Sequence, residues 1–322
     1  MAREAPFFIT LAAHLPAHID MDEIKMIRRG SYPITLENMK GPPARLYYRG
    51  RFPAPDDSDP DEPGRKYLCI VGSRKWSTYG RDAVYKIVSG LRGYPISIVS
   101  GLAIGIDSIA HMAGLEAGLH CIAFPGSTLA WDQIYPSMHT ILAKRIVEQG
   151  GAVVSQWEVG YPTNKWAFPA RNLVMAGLSH ATLVVEAAYR SGSLMTAQHA
   201  EKCHRDVYAV PGPINADNSY GPHMLIRGGA ALIRSAEDVL MELGFDISDT
   251  EAAERKAKLI EDRKDSLDEL SKRIYTLLAR EETPLEELLD MMAVKPEVLS
   301  EKLSYLELEG LIKTEDGMAK TI

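Results

Sequence analysis

The stretch YLCIVGSRKWSTYG, residues 67–80, decides the fold. A continuous apolar strand runs into a turn at Gly72, and the chain then enters a helical segment. A dinucleotide-binding sheet opens in the same way, with G-x-G-x-x-G laying backbone amides on a pyrophosphate and an acidic residue ending the second strand to hold a ribose. Here Arg74 stands where the second glycine belongs, and the second strand ends in Val99-Ser100-Gly101. Both requirements fail, which argues against a dehydrogenase. What remains is Gly72 for close backbone approach, the Ser73 hydroxyl, the Arg74 guanidinium fork and a following helix whose positive end favours an anion. The turn suits a phosphate.

Working outward, strand and helix patterns alternate six times, with strands at KYLCIVG, ISIVSG, HCIAFPG, GAVVSQW, HATLVVEAA and RDVYAVPG. They start at residues 66, 96, 120, 151, 180 and 205, the spacing of βαβ units. Their apolar runs are unbroken, as parallel strands covered on both faces require. The expected fold is α/β, an extended Rossmann-like doubly wound, mostly parallel sheet over residues 66–245, whose ligand edge is the set of turns after the strands. Residues 1–65 read as a short N-terminal segment and an acidic proline-rich connector, with four prolines and five carboxylates between Pro53 and Arg65. Residues 246–265 form a second, charged connector, either a solvated helix or a flexible linker. Residues 266–322 read as three helices and a ribbon, the order of a winged helix. Its third helix carries Glu297, Glu301, Glu307 and Glu309, which phosphates would repel, so a protein-contact or structural role is expected.

Charge follows the same division. The net value of -7 hides a balance of 15 basic against 13 acidic residues over 66–245 and of 7 against 13 over 266–322. Cys69, Cys121 and Cys203 are too far apart for a CxxC site or a disulfide framework, which points to a reducing cytoplasm. The apolar run near the amino terminus contains Glu4 and lacks an export cleavage site, and no run approaches the roughly 20 residues of a membrane helix. No membrane insertion is expected.

The later turns add candidates. SGLAIGID places Gly101 and Gly105 around a tight passage, with Asp107 set to cap or orient in the next helix's first turn. NKWAFPARN gathers Lys165, Trp166, Phe168, Arg171 and Asn172, and cations interleaved with flat rings suit a single-stranded nucleic acid, although each ring taken alone reads as core. YRSGSLMT places Arg190, Gly192, Ser193 and Thr196 at a helix start. His199, Cys203 and His204 lie near one another without a further ligand set, so no metal is expected. No catalytic Ser-His-Asp set or Walker GKS/GKT motif can be assigned.

Taken together, GSRKWSTYG, SGLAIGIDSIAH, EAGLHCIAFPGS, FPARNLVMAGLSHATLVVEAAYRSGSLMTAQHA and YAVPGPIN resemble the DNA-processing protein A (DprA or Smf) family. The resemblance covers most of residues 66–235 and extends weakly upstream. It implies a Rossmann-fold protein without a cofactor that binds single-stranded DNA, forms a homodimer and loads the RecA recombinase during natural transformation. On this likeness Gly72, Ser73 and Arg74 form the family's G-S-R element, and Lys165, Phe168, Arg171 and Asn172 its basic-aromatic element. The chain departs from the family pattern at Ile104 and Ala170, where basic residues are usual, and at GPH 221–223, where GTN is usual. Some members carry a similar winged helix. A second reading is a nucleotide-binding or nucleoside-monophosphate-hydrolysing Rossmann enzyme. Its PGGxGT signature is incomplete here, with RSGSLMTA in its place and Glu186 upstream.

Overall fold

The structure is a computed structural model and describes residues 21–53, 64–162, 165–246, 264, 267–308, 311–315 and 317–321. The amino-terminal apolar run, the body of each connector and Glu309 therefore lie outside the described residues.

All six expected strands form: β3 (Lys66–Val71), β4 (Ile96–Ser100), β5 (His120–Ala123), β6 (Ala152–Ser155), β7 (Ala181–Val184) and β8 (Asp206–Ala209). They alternate with α2 (Thr78–Gly90), α3 (Ile106–Glu116), α4 (Thr140–Glu148), α5 (Ala167–Leu178) and α6 (Gly192–Lys202). After β8 come α7 (Tyr220–Arg227), a two-residue strand β9 (Ala231–Leu232) and α8 (Ala236–Glu242). Two strands upstream of residue 66, β1 (Lys25–Arg28) and β2 (Arg45–Gly50), flank a short α1 (Ile34–Glu37) and extend the sheet beyond the six-strand pattern. The order is β1-β2-β6-β5-β4-β3-β7-β8-β9, parallel from β6 to β9 and antiparallel at β1–β2 and β2–β6.

Alternation along β3 explains the two-sided sheet. Leu68 and Ile70 pack with Val84, Ile87 and Ile109 of α2 and α3 on one face, while Tyr67, Cys69 and Val71 pack with Val174 and Met175 of α5 on the other. Both sets are removed from water, so the run reads as continuously apolar. Leu36 and Leu46 join the second core, which is what ties the upstream segment to the sheet. Because β3 lies between β4 and β7, the direction of winding reverses there, and the crevice at the carboxyl ends of β3 and β7 is the topological switch point.

The carboxy-terminal segment has its own core, in which Ile274, Leu288, Leu303 and Ile312 meet. It comprises α9 (Glu269–Leu278), β10 (Thr283–Pro284), α10 (Leu285–Met292), α11 (Pro296–Leu308), β11 (Ile312–Glu315) and β12 (Met318–Thr321), with sheet order β10-β12-β11. This is the expected winged helix. On α11, Glu297, Glu301 and Glu307 are exposed, and Glu307 accepts hydrogen bonds from the backbone and hydroxyl of Thr314 on β11.

Candidate functional site

The turn after β3 is clamped from three sides. A Cβ on Gly72 would lie 2.6 Å from the Ile106 side chain, so only glycine lets the start of α3 approach there. Ile106 N donates to Ser73 O at 3.2 Å, Ser193 Oγ donates to Gly72 O at 2.8 Å, and Asn218 Nδ2 donates to Lys75 O at 2.8 Å. Ser73 is buried, its hydroxyl bonded to the Lys75 backbone at 3.0 and 3.1 Å. A Cβ on Gly105, at φ +95, would strike Ser73 O and the Arg74 backbone, so glycine is needed there too. With its backbone fixed in this way, the turn presents Arg74, Lys75 and Trp76 to solvent.

The adjoining helix end departs from the expectation that it would favour a bound anion. Glu186, in the turn after β7, is only 5% exposed, and its carboxylate accepts from Ser77 N at 3.0 Å and from the Ser77 hydroxyl. Ser77 in turn caps α2, accepting from Gly80 N at 3.1 Å, and Gly80 has no Cβ because one there would strike Glu186. The seat that a pyrophosphate occupies in dinucleotide folds is filled by the chain's own carboxylate.

Beneath the edge, Arg171 is buried. Its Nη1 donates to the carbonyls of Gly101 and Phe124, and its Nε donates to Asn172 Oδ1 at 2.9 Å. Gly101 is needed because a Cβ would strike the Asp107 carboxylate and lie 2.5 Å from Arg171 Nη1. Asp107 sits in the first turn of α3, as expected; burial raises its pKa, and the Arg171 charge pulls the other way. One helical turn on, burial pushes the His111 imidazole down to about 3. Through its two carbonyl contacts Arg171 joins the turns after β4 and β5 to α5.

Lys165 is exposed at the start of α5, and Trp166 beside it is 82% exposed. Phe168 is half-buried, its ring where a Cβ on Gly126 would strike it and beside the ring of Tyr135, with centroids 5.6 Å apart. In the turn after β7, Arg190 is exposed in the left-handed region at φ +61, its guanidinium 5.1 Å from the Tyr189 ring centroid. Gly192 opens α6 in free space, whereas Ser193 faces Gly72 and Thr196 is fully buried. The candidates thus divide. Arg74, Lys165, Arg190 and Gly192 meet solvent and Phe168 does so in part, while Ser73, Gly101, Gly105, Arg171, Ser193 and Thr196 are buried. Gly72 and Asn172 lie between. His223, in the GPH segment, bonds Gly212 O at 2.9 Å. Tyr135 escaped the sequence reading; the signal was the long connection from β5 to α4, since such turns usually need only a few residues. Among the described residues no group of three or more His, Cys, Asp or Glu is arranged to hold a metal, and no helix is long and apolar enough to cross a membrane.

Fold and site define a doubly wound Rossmann-like protein whose ligand edge carries exposed cations and rings instead of a dinucleotide fingerprint. The chain belongs to the DNA recombination-mediator protein A family, whose model matches residues 23–244, and the model of the DprA winged helix domain matches residues 261–318. Protein Smf of Escherichia coli is 44% identical over 178 residues, which cover 55% of this chain and 47% of that protein, so the match spans under half of that relative. The DNA processing protein DprA of Streptococcus pneumoniae is 38% identical over 72% of this chain and 78% of its own length. Its X-ray structure superimposes with a TM-score of 0.61 at 36% identity, covering 70% of this chain and 77% of that one. DNA processing protein A of Helicobacter pylori, whose structure is described as giving insight into its single-stranded DNA binding mode, gives a TM-score of 0.58 at 26% identity, covering 69% of this chain and 95% of that one.

Proposed function

We propose that this protein binds single-stranded DNA along the carboxyl edge of its sheet and loads the RecA recombinase onto that strand, acting in the cytoplasm as a homodimer without catalysing a reaction. The observation that carries the reading is the pairing of an exposed Arg74 on a clamped turn with a helix end already occupied by Glu186. A free nucleotide loses its usual seat there, while a polynucleotide can still lay phosphates on the outward cations. In this reading Arg74, Lys165 and Arg190 meet phosphates, and Phe168 and Trp166 meet bases. Gly72, Ser73, Gly101, Gly105, Arg171, Asn172, Gly192, Ser193 and Thr196 shape and hold the turns. A hydrolase would need a carboxylate open to substrate, and the burial of Glu186 favours the mediator over the enzyme. Family membership supports the recombination role, and the three buried free thiols suit a reducing compartment.

The test is binding of labelled single-stranded oligonucleotide and duplex of equal length across a salt series. The expected result is tighter binding of the single strand, with affinity falling log-linearly in salt at about 0.7 units of slope per phosphate contact. Equal affinity for both forms, or none at low salt, overturns the proposal.

A further inference from the structure

Between Arg74 and Lys165 lies an arc of apolar groups that the phosphate contacts do not use. Ile104 is 45% exposed, Tyr135 52%, Met138 67% and Ile141 74%, and all four belong to turns or helix starts on the carboxyl side of β4 and β5. Contacts between the turns make the arc continuous. Two residues after Ile104, Ile106 N donates to Ser73 O at 3.2 Å, next to Arg74. Leu102 O in the same turn meets His139 Nδ1 at 2.7 Å, which fixes the short helix carrying Met138. Ile141 follows Met138 by three residues and so shares its face. Tyr135 is held by its amide on Ser127 Oγ at 3.1 Å and by the Phe168 ring, which leads to Trp166 and Lys165. The segments that build the arc carry few carboxylates: none falls between Asp82 and Asp107, between Asp132 and Glu148, or between Glu158 and Glu186.

Large apolar groups left in water on a rigid surface call for an occupant. Here that surface has a cation at each end and an exposed ring within it, the combination that suits unpaired bases strung on phosphates. We infer that the arc of Ile104, Tyr135, Met138 and Ile141 is a base-stacking platform, on which consecutive unpaired nucleobases rest while Arg74 and Lys165 take flanking phosphates. The inference rests on the DNA-binding reading above and adds to it the basis of strand selection, because bases locked in a duplex cannot reach the platform.

The test compares a labelled oligothymidylate with an equally long strand whose internal nucleotides are abasic, for the wild-type protein and for Tyr135→Ala, Tyr135→Phe and Met138→Glu. The wild type should bind the abasic strand at least about 5-fold more weakly, the lower end of what one stacked base contributes. Tyr135→Ala should lose a comparable factor on oligothymidylate, change little on the abasic strand and keep the wild-type salt slope, whereas Tyr135→Phe should restore binding. Met138→Glu should weaken oligothymidylate binding as well. Tyr135→Ala binding both strands as the wild type does, or losing equally on both, overturns the platform and points instead to a protein partner on this face or to a purely structural ring. Failure of the wild-type protein to bind either strand would bring down the DNA reading itself.

Discussion

Arg74, in the turn after β3, and Arg171, on α5, belong to one edge of one sheet, yet the first lies in solvent and the second is closed off beneath it. Arg74 stands on a backbone held by its neighbours and leaves its guanidinium outward. The guanidinium of Arg171 is engaged by Gly101 O, Phe124 O and Asn172, beside the buried Asp107. The edge therefore has an outer layer that can meet a ligand and an inner layer that keeps separate turns in register. An outer cation acts through charge in water, where the loss of one is felt mainly by a polyanion. An inner cation acts through satisfied carbonyls and an opposed buried charge, and its loss is felt by the fold.

The most severe way to break this contrast is Arg171→Ala, which leaves the Asp107 carboxyl buried without its counter-charge and two carbonyls without a donor. A loss of about 3–5 kcal/mol in urea unfolding is expected, and a change below about 1 kcal/mol would place Arg171 in the outer layer. Acid probes the inner layer more gently. The folded-state pKa of His111 is lowered to about 3, against an ordinary 6.5, so on acidification the unfolded chain takes up this proton first. Its contribution to stability is present above the ordinary value and declines as the pH falls from about 6.5 toward 3, by up to about 1.4 kcal/mol per unit. His111→Gln should flatten the dependence measured between pH 6.5 and 4.5, and a variant as steep as the wild type would refute the assignment. The smallest effect on stability belongs to Arg74→Ala, within about 0.5 kcal/mol. The same variant should lose single-strand affinity and about 0.7 units of salt slope, and an unchanged slope would remove Arg74 from the contact.

What separated the two arginines was not legible in the sequence. The partners of Arg171 are 70 and 47 residues away, and burial depends on which turns converge. Glu186 was visible as a carboxylate near a glycine turn, but Ser77, which fixes its role, is 109 residues distant. The six parallel strands were legible because strands buried on both faces leave unbroken apolar runs. The upstream pair β1 and β2 was not, because these strands lie at the antiparallel end of the sheet and carry Lys25, Arg28, Arg45 and Arg49 among their apolar residues. The G-S-R turn and the family resemblance were legible because they rest on short local strings.

The switch point has a consequence for how the protein comes into being. Strand β3 meets β7 across a long stretch of chain, with Tyr67 N donating to His180 Nδ1 113 residues later. Parallel pairing at such separation is slow, since the loop must close before the contacts that reward it can form. The turn bearing Arg74 receives Ser193 and Asn218, and α2 receives its carboxylate, only once β7 and the segments after it have docked. During synthesis Arg74 emerges early, but the surface that arranges it is among the last things the growing domain completes.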